Sequence, residues 1–122
     1  MSCLLIFTAT VTVAFSQAAS REKVAGDRSR IEDRTFRARN DGTKQKFVLV
    51  YPPGFGPDKP VSLLIALHGH GSDRWQFVKQ TRGECSGTRE AATRHGMLMV
   101  SPDYRAKTSW MGPKAEEDLV QI

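Results

Sequence analysis

The sequence has only two cysteines, Cys3 and Cys85, in 122 residues. A short disulfide-stapled scaffold is therefore excluded. With no cysteine pair and no H-E-x-x-H, the usual structural and catalytic zinc patterns are missing too. No segment repeats, which excludes a solenoid or propeller. No apolar run reaches the length of a bilayer-spanning helix, so stable membrane insertion is not expected. Charge of one sign is not segregated either. The 18 Lys and Arg residues exceed the 13 Asp and Glu by five, but acids and bases interleave everywhere after Arg21. That pattern reads as a solvated mixed surface, not as a nucleic-acid footprint. Composition is otherwise that of a globular chain, 39% hydrophobic and 25% charged, which excludes intrinsic disorder. The length suits one small domain.

The first twenty residues carry no charge. Residues 4–15 form an apolar, threonine-containing run of signal-peptide length. Small residues lie at its end and beyond: Ala14, Ser16, Ala18, Ala19 and Ser20. Cleavage after Ser16, Ala18 or Ser20 fits a signal peptidase pocket, although no Lys or Arg precedes the run. Residues 1–20 are read as a signal peptide, residues 21–34 as a polar linker, and residues 35–122 as the folded domain. Export places the chain in a secreted or periplasmic compartment. Cys3 would leave with the signal, and Cys85 would remain as an odd cysteine whose partner, if any, lies elsewhere.

Residues 35–39 alternate, Asn40-Asp41-Gly42 marks a turn, and residues 46–51 are rich in Val, Phe and Tyr. This predicts a β-hairpin. Pro52-Pro53-Gly54 stops it. Residues 61–67 (VSLLIAL) are nearly continuously apolar. Their length and flanking breakers say strand, and their lack of alternation says burial on both faces. Residues 88–95 are helix-forming, with Gly96 suited to the C-cap. Residues 97–100 form a second short apolar strand, closed by Ser101-Pro102-Asp103. Pro113 opens a last helix over residues 114–122, with acidic residues near its start. A hairpin followed by strand, helix, strand and helix is an α/β arrangement with right-handed crossovers. Two buried strands cannot be covered on both faces by these helices, so the fold is expected to be incomplete.

The segment richest in chemistry is LLIALHGHGSD, residues 63–73. A buried strand running into His68-Gly69-His70-Gly71 resembles the oxyanion-hole loop of the α/β-hydrolases. The YPPGF of residues 51–55 and the AATRHGMLMVSPDYR of residues 91–105 are similar to secreted esterases, specifically the esterase D, feruloyl-esterase and polyhydroxybutyrate-depolymerase relatives. The resemblance covers roughly residues 35–122. It implies the N-terminal part of an α/β-hydrolase fold: a β-hairpin followed by βαβα. It also implies a carboxylic-ester hydrolase in which this loop supplies one backbone N–H to the oxyanion hole. Fixed N–H donors stabilise the negative charge that develops on the carbonyl oxygen, and glycines let the backbone turn tightly. His70 is the first choice of donor and Gly71 the second.

The family's nucleophile is the serine of G-x-S-x-G, followed by Asp or Glu and then His. None of these is matched here, so the triad is expected beyond Ile122 and the chain alone is expected to be inactive. No cofactor and no metal are implied. The expected partner is a small-molecule or polymeric ester, met by the full-length protein; the oligomeric state stays open. Gly83-Glu84-Cys85-Ser86-Gly87 matches G-x-C-x-G, but no buried strand precedes it. A helix between Cys85 and His95 would separate them by about 15 Å. His68 and His70 with Asp73 or Asp103 form the one conceivable metal set. Trp75, Phe77 and Trp110 are candidates for an aromatic ester pocket, and Asp103 sits at a strand end, where α/β sheets place functional groups. The competing readings are a non-catalytic secreted binding protein or relic, and a fragment of a prolyl-oligopeptidase-like peptidase.

Overall fold

The computed structural model describes residues 29–105 and 111–122. The proposed signal peptide and Trp110 lie outside them. Strands β1 (Arg30–Arg37) and β2 (Lys44–Tyr51) form the hairpin, in register from Arg30 opposite Tyr51 to Arg37 opposite Lys44. Strand β3 (Leu63–Ile65) leads through helix α1 (Gln76–Lys79) and helix α2 (Gly83–Arg94) to strand β4 (Leu98–Pro102). Helix α3 (Pro113–Gln121) follows. The sheet order is β1-β2-β4-β3. Strand β4 lies antiparallel to β2 and parallel to β3, with Met99 opposite both Val50 and Leu64. The expected hairpin, strand, helix, strand and helix are present, and the short helix α1 is an addition to them.

The hairpin starts at Arg30, inside the segment read from sequence as a linker. Its first residues are polar (Arg30, Glu32, Asp33, Arg34), so their own pattern carries no strand signal. Pairing with the apolar β2 holds them in the sheet. The turn has two backbone bonds, Ala38 N–H to Thr43 O at 2.9 Å and Gly42 N–H to Ala38 O at 2.8 Å. Asp41 accepts from the Thr43 N–H at 3.0 Å and from its hydroxyl at 2.6 Å, as turn aspartates do.

The main apolar cluster lies on one face of the sheet. Ala66, Met99 and Ala92 of α2 are buried there, packed by Val50, Leu64, Phe77, Val78 and Met97. The expectation that β3 is buried on both faces is corrected. Leu63 is 53% exposed, Ile65 46% and Leu67 39%. Strand β3 is also the sheet edge. The ladder nonetheless runs past its ends, through Leu98 N–H to Ser62 O and Ala66 N–H to Val100 O. Continuous hydrophobicity reports that both faces prefer burial; among the described residues, the Leu63, Ile65 and Leu67 row stays exposed.

Helix α3 begins as its sequence suggests, with Gly112 as N-cap and Pro113 in the first turn. It docks on the hairpin turn through polar contacts. Asn40 Nδ2 donates to Glu117 Oε2 at 2.8 Å, and Gln121 Nε2 donates to Arg37 O at 2.7 Å. Arg105 is the centre of this junction. Its Nε donates to Asp118 Oδ2 at 2.5 Å, its Nη1 to Asp41 Oδ2 at 2.6 Å, and its Nη2 to Asn40 Oδ1 at 2.9 Å. Tyr104 and Arg105 both have positive φ, 31° and 63°, a backbone conformation uncommon outside glycine. One guanidinium thus joins the turn, the end of β4 and α3.

The Arg105 guanidinium, aided by Thr43, holds the Asp41 carboxyl far below its ordinary 3.8. The Arg74 guanidinium likewise lowers Asp33. A carboxylate depressed in the folded state stabilises above its unfolded pKa and loses that contribution as pH falls toward the folded value. Urea midpoints measured from pH 7 to 2 should therefore be flat for these groups down to about pH 5 and fall below it. Asp41→Asn should flatten part of the acid limb; an unchanged limb would remove Asp41 from the account.

Candidate functional site

Strand β3 ends at the parallel edge of the sheet and releases the backbone into residues 66–75. His68 is 4% exposed. Its Nδ1 lies 2.9 Å from Gly69 O and its Nε2 lies 3.3 Å from Asp103 O. Whichever ring nitrogen carries the hydrogen donates to a backbone carbonyl. The ring packs against Tyr104, with centroids 4.4 Å apart, and the Tyr104 hydroxyl donates to His68 O. Burial pushes the Tyr104 phenol up, so it stays a donor across the neutral range. The histidine is a brace between the loop and the end of β4.

The loop then turns over four residues. Ser72 N–H donates to Gly69 O at 3.2 Å, and Gly71 has φ +74°. That angle is one an L side chain rarely adopts, so the glycine is required by the turn. Gly71→Ala should lower stability by about 1 kcal/mol, read as a shift in urea midpoint; no shift would mean that the turn relaxes freely.

Beyond the turn, Asp73 closes an Asx turn that leads into α1. Its Oδ1 accepts from the Trp75 N–H at 2.9 Å and its carbonyl from the Gln76 N–H at 3.0 Å. Gln76, 6% exposed, points back under the loop, and its Oε1 accepts the Gly69 N–H at 2.9 Å. Arg74 ties the same loop to two strands. Its backbone N–H and Nη1 donate to the Asp103 carboxylate at 2.9 and 3.1 Å, and its Nε and Nη2 donate to Asp33 at 2.9 and 2.8 Å. Hydrogen bonding to Asp33 raises the Arg74 pKa, keeping it charged. A polar cleft of about 400 Å³ opens here, between Lys46, His68, Ser72, Arg74 and Asp103.

The four residues singled out in the sequence are thus contiguous but unequal. His68 is buried, while Gly69, His70 and Gly71 face solvent. Among the described residues, the His70 and Gly71 N–H groups have no acceptor, whereas that of Gly69 is taken. Asp103, at the end of β4, serves as a clamp on Arg74.

Other candidates are dispersed. Cys85 is fully buried and lies in the first turns of α2, with no strand before it and with His95 at the far end of the same helix. The elbow alternative has no geometry behind it. The ring nitrogens of His68 face carbonyl oxygens, and among the described residues no three His, Cys, Asp or Glu side chains converge on a metal position. Phe77 packs on the core. Trp75 is half-buried with Lys79 Nζ 4.0 Å from its ring centroid, a cation–π contact. The described aromatics do not form a common pocket. Sequence reading missed Arg74, Gln76 and Tyr104 in the loop's support. The one local signal available was Asp73, a turn-forming residue type at the end of the loop.

No protein-family model matches the chain, and no curated protein matches it in sequence. Solved structures do. An S-formylglutathione hydrolase from Staphylococcus aureus aligns with a TM-score of 0.54 at 18% identity, over 77% of this chain and 39% of its own. A fluorophosphonate-binding serine hydrolase from the same organism gives 0.55 at 18% identity, over 76% and 38%. A ferulic acid esterase from the anaerobic fungus Anaeromyces mucronatus gives 0.52 at 16%, over 77% and 41%. The chain spans about two fifths of the length of these structures. Its fold is that of part of an α/β-hydrolase.

Proposed function

We propose that this chain supplies the oxyanion-hole portion of an exported serine hydrolase that cleaves carboxylic esters. The observation that carries the reading is the loop after β3. It is braced from below by His68, Gln76 and Arg74, and among the described residues nothing accepts the exposed N–H groups of His70 and Gly71. As a nucleophile adds to an ester carbonyl, charge gathers on the oxygen. Donors already fixed in place stabilise that charge without reorganising. His70 and Gly71 would take this part, with Gly69 and His68 holding the turn. The named hydrolases of the same fold support the reading, and an ester, small or polymeric, is the substrate class. The nucleophile, its acid partner and its histidine have no counterpart in residues 1–122, where no G-x-S-x-G occurs. Residues 1–20 would direct export.

The chain alone should therefore neither release p-nitrophenol from p-nitrophenyl acetate nor take up a fluorophosphonate probe. The gene read past the Ile122 codon should encode one more apolar strand, a G-x-S-x-G, and then an acid and a histidine. The longer product should hydrolyse the ester and be labelled on that serine. A stop with no such motif in any downstream frame would sink the proposal, and a binding role would replace it.

A further inference from the structure

We infer that Gln76 is a positioning residue that decides which N–H groups of the 68–71 loop stay available. The inference rests on the oxyanion-hole reading and deepens it. A loop of consecutive exposed residues offers several N–H donors in different directions, and a hole needs particular ones held still. Here one side chain removes a competitor. Gln76 Oε1 accepts the Gly69 N–H at 2.9 Å. Because that partner is a donor, the carbonyl end of the amide must face it, which fixes the orientation of the group.

The amide is also close to this glycine in space: a Cβ at Gly69 would sit 3.8 Å from Gln76 Oε1 and 3.9 Å from Nε2, in ordinary contact with both ends of the group. Gln76 is itself fixed. Its backbone N–H donates to Asp73 O at 3.0 Å and its carbonyl accepts from Gln80 N–H at 3.0 Å. The side chain is 6% exposed, so water competes weakly for the contact. With Gly69 tied down and Ser72 N–H turned onto Gly69 O, the two N–H groups between them, His70 and Gly71, are the ones left outward. An apolar residue at position 76 would free Gly69 and let the turn rotate as a unit.

The test is amide hydrogen exchange on the ¹⁵N-labelled chain, with Gln76→Met and Gln76→Glu beside wild type. Met removes the acceptor at similar volume; Glu keeps an oxygen in its place. In wild type, Gly69 should exchange about tenfold more slowly than His70 and Gly71 after sequence correction. Gln76→Met should erase that difference while the Met99 and Val100 amides in β4 keep their rates. Gln76→Glu should restore it, which a purely space-filling role would not do. If Gln76→Met fails to fold, the wild-type and Gln76→Glu rates still decide. Equal exchange at Gly69, His70 and Gly71 in wild type, or loss of Gly69 protection in Gln76→Glu, overturns the inference. Exchange reads the loop without turnover. A protected Gly69 beside a gene with no G-x-S-x-G in any frame past the Ile122 codon would leave Gln76 in its role and reject the hydrolase reading alone.

Discussion

Arg105→Ala should cost about 3 kcal/mol of stability, read as a lower urea midpoint with an unchanged slope. The magnitude comes from what the substitution strands. Asp118 is 3% exposed, and its carboxylate receives both the Nε and the Nη2 of Arg105, at 2.5 and 3.0 Å. Removing the guanidinium leaves a buried charge without its partner, which is far costlier than losing a solvated pair. The same change releases Asp41 and Asn40, so the hairpin turn and α3 lose their common anchor. Arg105→Lys should recover little. An ammonium is a point donor and cannot span Asp118, Asp41 and Asn40 together. Arg105→Ala/Asp118→Leu should be less destabilised than Arg105→Ala, because the stranded charge is gone. A single-variant loss below about 0.5 kcal/mol would show that solvent already screens the pair.

The parts of this arrangement that were legible in the sequence are those set by local chemistry. The apolar run at residues 61–67, the glycines after it, the NDG turn and Pro113 each impose backbone geometry through their own side chains. The loop, strands β2 and β3 and helix α3 followed from them. Strand β1 was legible only from Thr35 onward. Residues 30–34 are strand because β2 pairs with them, and their polar side chains suit an exposed edge. The brace under the loop was not legible at all. Gln76, Arg74 and Tyr104 act over separations of 7, 29 and 36 residues, and no spacing rule links a glutamine to a glycine before the fold brings them together. The sequence located the 68–71 loop; tertiary contacts decide which of its N–H groups are free.

Met99→Ala and Ile65→Thr, two apolar truncations one register step apart on paired strands, should differ by several kcal/mol. Met99 is fully buried and touches the cluster built from Ala66, Ala92, Leu64 and Phe77. Deleting its thioether leaves a void that the short elements around it cannot fill, at a cost of about 3 kcal/mol. For a domain of marginal stability that is enough to populate the unfolded state. Ile65 lies opposite Val100, which is 3% exposed, yet Ile65 itself is 46% exposed at the sheet edge. Threonine there keeps the β-branch and should shift the urea midpoint by less than about 0.5 kcal/mol. It should also raise solubility, because Leu63, Ile65 and Leu67 form an apolar row beside an unpaired strand edge, the arrangement that invites edge-to-edge association. A cost at Ile65 as large as that at Met99 would mean that this face is covered in solution. The continuous hydrophobicity of residues 61–67 would then report an actual second layer. A small cost would mean that the strand carries, in this chain, a preference for burial that the described residues leave unmet.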